Sequence, residues 1–354
     1  MKQQAIIEQF SQTIREAGDS GSPLHIRGSG SKSFYGRAVQ GCVLDMTPYR
    51  GIISYAPTEL VLTARAGTPL AEIEAALAEK KQMLAFEPPH FGAGATLGGC
   101  IAAGLSGPRR AYAGAVRDFV LGLRMLDGKA EDMKFGGQVM KNVAGYDVSR
   151  LLAGSMGTLG VLLEVSLKVL PLPVQELTLR FDMGEAEALQ QMNRWAALPL
   201  SLSATCYHAG ELTVRLSGAV AAVSSVRQKL GGEEVQDAHV FWSGVREQQH
   251  DFFASAKTLW RLSLPATAIS VTLPGRQLIE WGGALRWLAS EAPVAEIRQA
   301  ATALGGHATL FRSAQPCNDP FHPLATPLLV LHRRLKQSFD PMGILNPGRM
   351  YQEY

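Results

Sequence analysis

Short blocks of helical and strand periodicity alternate along this chain, parted by turns rich in Gly and Pro. Ile6, Phe10 and Ile14 make a short helical stripe. Strands are expected at 24–27, 42–45, 51–55 and 60–66, with Pro57 and Thr58 turning between the last two. Thr68 is placed to cap a helix that has Pro69 at its first position and Leu70, Ile73 and Leu77 as its buried stripe. A short apolar strand at 83–86 leads into a rigid Glu87-Pro88-Pro89-His90 entry. Thr96 is placed to cap a helical turn over 97–103. A strand at 120–126, an Asp127-Gly128 hairpin signal and a return at 130–135 follow. Asp147 can cap a helix of one or two turns. From Val161 to Val169 the apolar residues alternate with Leu162, Glu164, Ser166 and Lys168, which predicts a strand with one mostly polar face. Pro171 and Pro173 end it.

Beyond the prolines the pattern changes. A strand at 177–182, a helix at 185–196, a hairpin at 202–207 and 211–216, a helix at 220–230 and a strand at 235–241 read as a β-α-β-β-α-β ferredoxin-like split. A helix at 241–254, strands at 258–264, 269–273 and 278–288, a helix at 295–303, a strand at 306–311 and a last helix at 323–339 complete the chain.

Composition narrows the partners. At 354 residues the chain has room for two or three domains. Hydrophobic content of 46% and charged content of 18% belong to a globular protein, and a net charge of +3 is too small to argue for nucleic acid. The eight His are scattered without ligand spacing, so no metal site is expected. Cys42, Cys100, Cys206 and Cys317 form no C-x-x-C, which argues against an iron–sulfur cluster or structural zinc in this chain and for buried, reduced thiols in a cytosolic setting. MKQQAIIEQF is an ordinary amphipathic helix, not a signal peptide. Glu164 and Lys168 interrupt the most apolar run, 151–170, so no membrane span is expected.

Three small-residue loops carry candidate chemistry. Gly28-Ser29-Gly30-Ser31-Lys32 follows a strand and could form a nest of N–H groups for phosphate oxygens, or a plain turn. No helix follows it, which argues against a nicotinamide-type Gly fingerprint, and the Walker spacing is absent. Residues 91–107, FGAGATLGGCIAAGLSG, allow close backbone approach, and a capped helix start there offers free N–H groups and a positive dipole end to an anion, unless the loop merely packs on a neighbour. Residues 154–160, GSMGTLG, are the third. All three suit one large anionic ligand.

The segments RGSGSK (27–32), EPPHFGAGATLGGCIAAG (87–104), VRDFVLGLRMLDG (116–128), KNVAGYDVSRLLAGSMGTLGV (141–161) and FDPMGILNPGRM (339–350), in that order, resemble FAD-binding oxidoreductases of the vanillyl-alcohol oxidase or PCMH type. EPPH, SGPRRAYAG, GQVMKNVAGYD, WGGALRW (281–287) and GGHAT (305–309) resemble more narrowly the short FAD-binding subunits of bacterial glycolate oxidases. The resemblance implies an α+β fold: a PCMH-type FAD-binding domain of two α/β subdomains over 1–174, a ferredoxin-like cap over 175–325, and a C-terminal segment, 326–354, returning to the first domain. It places Arg27, Gly28, Ser29, Gly30, Ser31 and Lys32 at the pyrophosphate. Pro88, Ala95, Thr96, Gly98 and Gly99 would lie by pyrophosphate and flavin, Gly157, Gly160 and Val161 near adenosine, and Asn346 beside the ring. The 27–32 loop lacks the His through which many relatives bind flavin covalently, so non-covalent FAD is expected.

Catalytic subunits of this group carry a G-D-G-N-x-H run, which this sequence lacks. His307 remains as a candidate base or a strand His satisfied in the core, and Arg286 as a carboxylate anchor or a fold-internal group. The resemblance implies a subunit of a complex that oxidises glycolate to glyoxylate, with a larger FAD-binding catalytic subunit and an iron–sulfur subunit as partners. The expected location is cytoplasmic, with peripheral contact at the inner face of the membrane through those partners. Arg109, Arg110, Trp281 and Trp287 are candidate interface anchors. The alternatives are a self-sufficient FAD-dependent dehydrogenase for a small D-2-hydroxy acid and a scaffold that binds no flavin.

Overall fold

A computed structural model describes residues 2–137, 147–314 and 318–354. Most of the KNVAGYD stretch, and Cys317, lie outside them. The strands are β1 (Leu24–Arg27), β2 (Cys42–Asp45), β3 (Ile52–Ala56), β4 (Val61–Arg65), β5 (Gln82–Met83), β6 (Val120–Leu126), β7 (Asp132–Gly136), β8 (Val161–Lys168) and β9 (Leu170–Pro171). After them come β10 (Gln175–Asp182), β11 (Leu202–His208), β12 (Glu211–Gly218), β13 (Glu233–Glu234), β14 (Leu259–Ser263), β15 (Arg276–Glu280), β16 (Leu285–Ala289) and β17 (His307–Arg312).

The first nine strands build two layers. β1 and β2 pair in parallel, and the helix Lys2–Ser20 lays Ile7, Phe10, Ile14 and Ala17 against them. β3-β4-β8-β6-β7 form a five-stranded antiparallel sheet packed on the helices Leu70–Glu79 and Leu97–Ala103. The fold class is the α+β architecture that the resemblance implied. β8 is the central strand, so its polar face meets protein rather than water. Ser166 pairs with Thr63 at 2.8 Å, and Glu164 accepts from Tyr49 Oη and Arg124 Nη1, each at 2.9 Å. Polar side chains buried in this way need partners, and these have them.

From β10 on, one eight-stranded sheet runs β13-β10-β12-β11-β15-β16-β14-β17. Its first four strands, with the helices Glu185–Ala196 and Val220–Leu230, follow the expected split, and both helices have the bounds read from the sequence. The last four have the same order mirrored, 17-14-16-15, so the cap holds two such units joined edge to edge by β11 and β15. The second unit has a loop where its first helix would stand.

Several elements depart from the sequence pattern. The strand expected at 235–241 is only Glu233–Glu234, and a helix, Ala238–Arg246, follows it. Residues 269–273 form no strand. The single strand expected at 278–288 is the hairpin of β15 and β16, broken where Trp281, Gly282 and Gly283 all take positive φ. Thr68 does not cap its helix: its hydroxyl accepts from Gly51 N and donates to Arg65 O. Cys100 and Cys206 are buried thiols, but Cys42 is exposed.

The C-terminal segment returns to β1 through a bridge between Leu24 and Leu345. A buried ion pair fixes it. Lys336 Nζ donates to Asp340 Oδ2 at 2.6 Å, Leu345 O at 2.7 Å and Thr158 O at 2.9 Å, while Asp340 accepts from the N–H groups of Ile344 and Leu345. Removing one member leaves the other charge buried. Lys336→Met is therefore expected to lower stability by about 3–5 kcal/mol, and adding Asp340→Asn should cost less than the two single changes summed. Urea unfolding of the three variants checks this.

Candidate functional site

Three stretches far apart in sequence close around one cleft. One lobe is lined by the 25–33 segment, Tyr35, Thr96, Gly99, Ala102, Ala103, Met156, Asn346 and Arg349. A second continues past Met46, Ala66, Gly98, Gly157, Gly160 and Leu162 and shares Ile26, Thr96, Gly99, Ala102, Met156 and Asn346 with the first.

The loop from Gly28 to Lys32 supplies donors. Among the described residues, none of its five backbone N–H groups finds an acceptor. The carbonyls beyond it are gathered elsewhere: Arg349 donates to the carbonyl oxygens of Lys32 (3.3 Å), Ser33 (3.2 Å), Tyr35 (2.6 Å) and Arg37. Lys32 Nζ bonds His90 O at 3.1 Å, and burial pushes its pKa down. Gly28 sits so close to Thr96 that a Cβ there would lie 2.3 Å from its hydroxyl oxygen, so only glycine fits.

Thr96 caps the helix Leu97–Ala103 by accepting from Gly99 N at 3.3 Å, and Gly104 closes it with φ 67°. The expected free N–H groups at this helix start are absent. Leu97 N donates to Thr68 O and Gly98 N to Ala66 O. Anion binding therefore falls to the 28–32 loop, and the helix contributes shape. The Cβ of a residue at Gly98 would lie 2.8 Å from Ala66 Cβ, whereas at Gly99 it would meet only Thr96 Oγ1, at 3.2 Å. Gly98 thus serves packing, and Gly99 faces the opening.

The loop 154–160 docks on that helix through Gly154 N to Ile101 O and Met156 N to Ala102 O. Asn346 ties it to β1: its Oδ1 accepts from Ile26 N and its Nδ2 donates to Met156 O, both at 2.7 Å. Gly157 lies against that amide, and Gly160 against Met125.

The expected residues Arg27, Gly28, Ser29, Gly30, Ser31, Lys32, Thr96, Gly98, Gly99, Gly157, Gly160 and Asn346 all line the cleft. Pro88, Ala95 and Val161 do not; they are buried in the packing around it. His25, Tyr35, Met156 and Arg349 line it and were not singled out from the sequence. Only Arg349 had a signal, as the charged member of NPGRM.

Both catalytic candidates lie outside the cleft. His307 is exposed at the start of β17, opposite Ser263. Partial desolvation of the ring by its neighbours, then Arg261 and His322, push its pKa down even though the residue as a whole is exposed. Arg286 is fully buried, and its guanidinium is spent on the carbonyl oxygens of Gly283, Ala268 and Ile269. It holds the 264–275 loop to the hairpin and has no free edge for a carboxylate. Of the interface candidates, Trp281, Trp287 and Arg109 are internal and Arg110 is half-buried. Trp281 and Trp287 are buried and donate to Gly107 O and Glu280 Oε1. Arg109 is buried against Glu87 and Glu176, and Arg110 stacks on Trp281 at 4.4 Å.

The family model described as FAD binding domain matches residues 5–136. Glycolate oxidase subunit GlcE of Escherichia coli is 52% identical over 99% of this chain and 97% of its own. Glycolate oxidase subunit GlcD of Bacillus subtilis is 31% identical over 44% of this chain and 34% of its own, and a D-lactate dehydrogenase of Anaerostipes hadrus is 32% identical over 39% and 29%. Among solved structures, alkyldihydroxyacetonephosphate synthase shares the fold with a TM-score of 0.64 at 15% identity, over 96% of this chain and 75% of that one.

The two neighbouring glycines give a test. Gly99→Val should leave the fold intact and abolish cofactor retention by filling the cleft. Gly98→Val should lower stability by roughly 1–3 kcal/mol through overpacking against Ala66. Thermal melts and bound-flavin absorbance of the two purified variants separate the effects.

Proposed function

The chain belongs to the family of glycolate oxidase subunit GlcE, and from that membership we propose that it is the FAD-binding subunit of a multi-subunit enzyme oxidising glycolate to glyoxylate. The observation that carries the reading is 52% identity along nearly the whole of both chains. The cleft fits the cofactor: five consecutive N–H groups without acceptors suit a pyrophosphate, and the apolar Ile26, Met46, Ala102 and Met156 suit an aromatic system.

In this reading the 28–32 loop binds the phosphate oxygens, with Lys32 adding charge at its end. Gly99 lets the cofactor approach the helix, Gly157 and Gly160 shape the inner lobe, and Asn346 fixes the distance between β1 and Met156. His25, Tyr35 and Arg349 join this set. When bound, FAD supplies the acceptor for the electrons removed from the hydroxy acid. The cofactor is held without a covalent bond, because the loop at 27–32 offers Ser and Lys but no His.

The complex contains a larger FAD-binding catalytic subunit and an iron–sulfur subunit that receives the electrons. Among the described residues no group of three or more His, Cys, Asp or Glu is arranged to hold a metal. No helix is long and apolar enough to cross a membrane. Attachment to the inner face of the cytoplasmic membrane would run through the partners.

Acid precipitation of the purified protein is expected to leave free FAD in the supernatant. Dye-linked glycolate oxidation is expected of the co-expressed complex and not of this chain alone. Turnover by the isolated chain at about 1–10³ per second would instead support a self-sufficient D-2-hydroxy-acid dehydrogenase.

A further inference from the structure

A second, narrower cleft, partly open to solvent, lies where the Pro89–Phe91 turn and residues 105–108 meet the inner face of the cap sheet. Phe91, Trp287 and Phe311 make much of its wall. Phe311 also packs on Tyr35, with ring centroids 5.0 Å apart, so one aromatic layer separates this cavity from the cofactor cleft.

Three polar groups stand in this apolar setting. Arg261 on β14 lines the cavity and, among the described residues, makes no hydrogen bond or ion pair; its guanidinium lies over the Trp281 ring at 5.3 Å. Gln248 is 8% exposed, and its Oε1 is buried without a partner. Glu280 is 3% exposed, and its Oε1 accepts from Trp287 Nε1 at 2.8 Å. An orphaned acceptor is costly in a protein interior unless a ligand meets it, and the half-buried guanidinium of Arg261 stands on the same wall with its donors uncommitted. The sheet register makes their grouping systematic: Arg261 pairs with Trp287 and Glu280 with Leu285, so all four share the face that looks toward the first domain.

We propose that this cavity binds a small 2-hydroxy carboxylate, with Arg261 pairing with the carboxylate and Gln248 Oε1 accepting from the hydroxyl. The choice of a hydroxy acid rests on the function proposed above; the demand for a small carboxylate comes from the cavity itself. Glu280 is a positioning residue whose proton lets an anion enter. Burial lifts its pKa to about 7, against the opposing pull of the Trp287 N–H. Glu87 raises it further and Arg261 lowers it. The other ionisable groups around it are Cys206, its partner across β11, and Arg246, which is paired with Glu247. A neutral Glu280 favours an anionic ligand, so affinity should fall as pH rises through about 7, as Glu280 ionises.

The test is anaerobic titration of the full-length, flavin-loaded chain with glycolate, followed by calorimetry and Trp fluorescence. Wild-type affinity is expected to weaken about tenfold from pH 6 to pH 8.5, and Glu280→Gln should flatten that profile. Arg261→Gln should weaken glycolate and acetate alike by at least about tenfold, with Arg261→Lys recovering part of the loss. Gln248→Leu should weaken glycolate but not acetate, which lacks the hydroxyl, and it remains informative if the Arg261 variants do not fold. Glycolate binding that is independent of both pH and Arg261 would overturn the site. So would no binding by a chain whose complex still oxidises glycolate, an outcome that leaves the proposed function standing. Arg261-dependent carboxylate binding in a complex inert toward glycolate would support the site and count against the proposed function.

Discussion

The amide of Asn346 is the constraint on which the cleft depends. It holds Ile26 N on one side and Met156 O on the other, across separations of 320 and 190 residues. Both bonds are largely buried, so losing either leaves an unsatisfied backbone group at a cost of roughly 1–3 kcal/mol. The Lys336–Asp340 pair lies just behind and fixes where residue 346 can stand, because Asp340 caps the N–H groups of Ile344 and Leu345. The end of the chain is thereby part of the wall opposite the 28–32 loop.

A second set of contacts joins the cap to this frame. Glu247 accepts from the N–H groups of His90 and Phe91, and Glu87 accepts from Arg109 N and faces Arg215. These contacts anchor both ends of the Glu87–Phe91 turn, whose terminal residues take positive φ despite having side chains. Such a conformation persists only where neighbours over-determine it. The turn in turn presents Phe91 to Phe34 and Phe311, and Phe311 with Tyr35 separates the cofactor cleft from the smaller cavity. Charged contacts at the domain junction thus set the position of an aromatic partition.

Two kinds of polar residue in the cap look alike in the sequence and differ in use. Arg286 and Arg261 both lie on strands of the second ferredoxin-like unit, in similar apolar surroundings. Register decides between them. Arg286 falls on the outer face and collects three carbonyl oxygens, while Arg261, on the adjacent strand and paired with Trp287, falls on the inner face with none. A one-residue shift reverses the face of a strand side chain.

The sequence by itself determined the elements whose signals are local. Two cap helices have the bounds read from their periodicity, and Thr96 and Asp147 cap as their residue types suggest. It also identified most of the cleft-lining glycines, since loops of small residues are visible without any partner. Tertiary structure alone decided three further points. Neighbouring backbone carbonyls consumed the N–H groups at the 97–103 helix start, which moved anion binding to the 28–32 loop. Two glycines after Trp281 turned one expected strand into a hairpin, and that hairpin buried the tryptophans and set Glu280 beside Trp287. His307 and Arg286 were drawn away from the site because a side chain's role depends on the face and the neighbours it meets. Those are fixed by strand pairing between distant segments, and no local pattern encodes them.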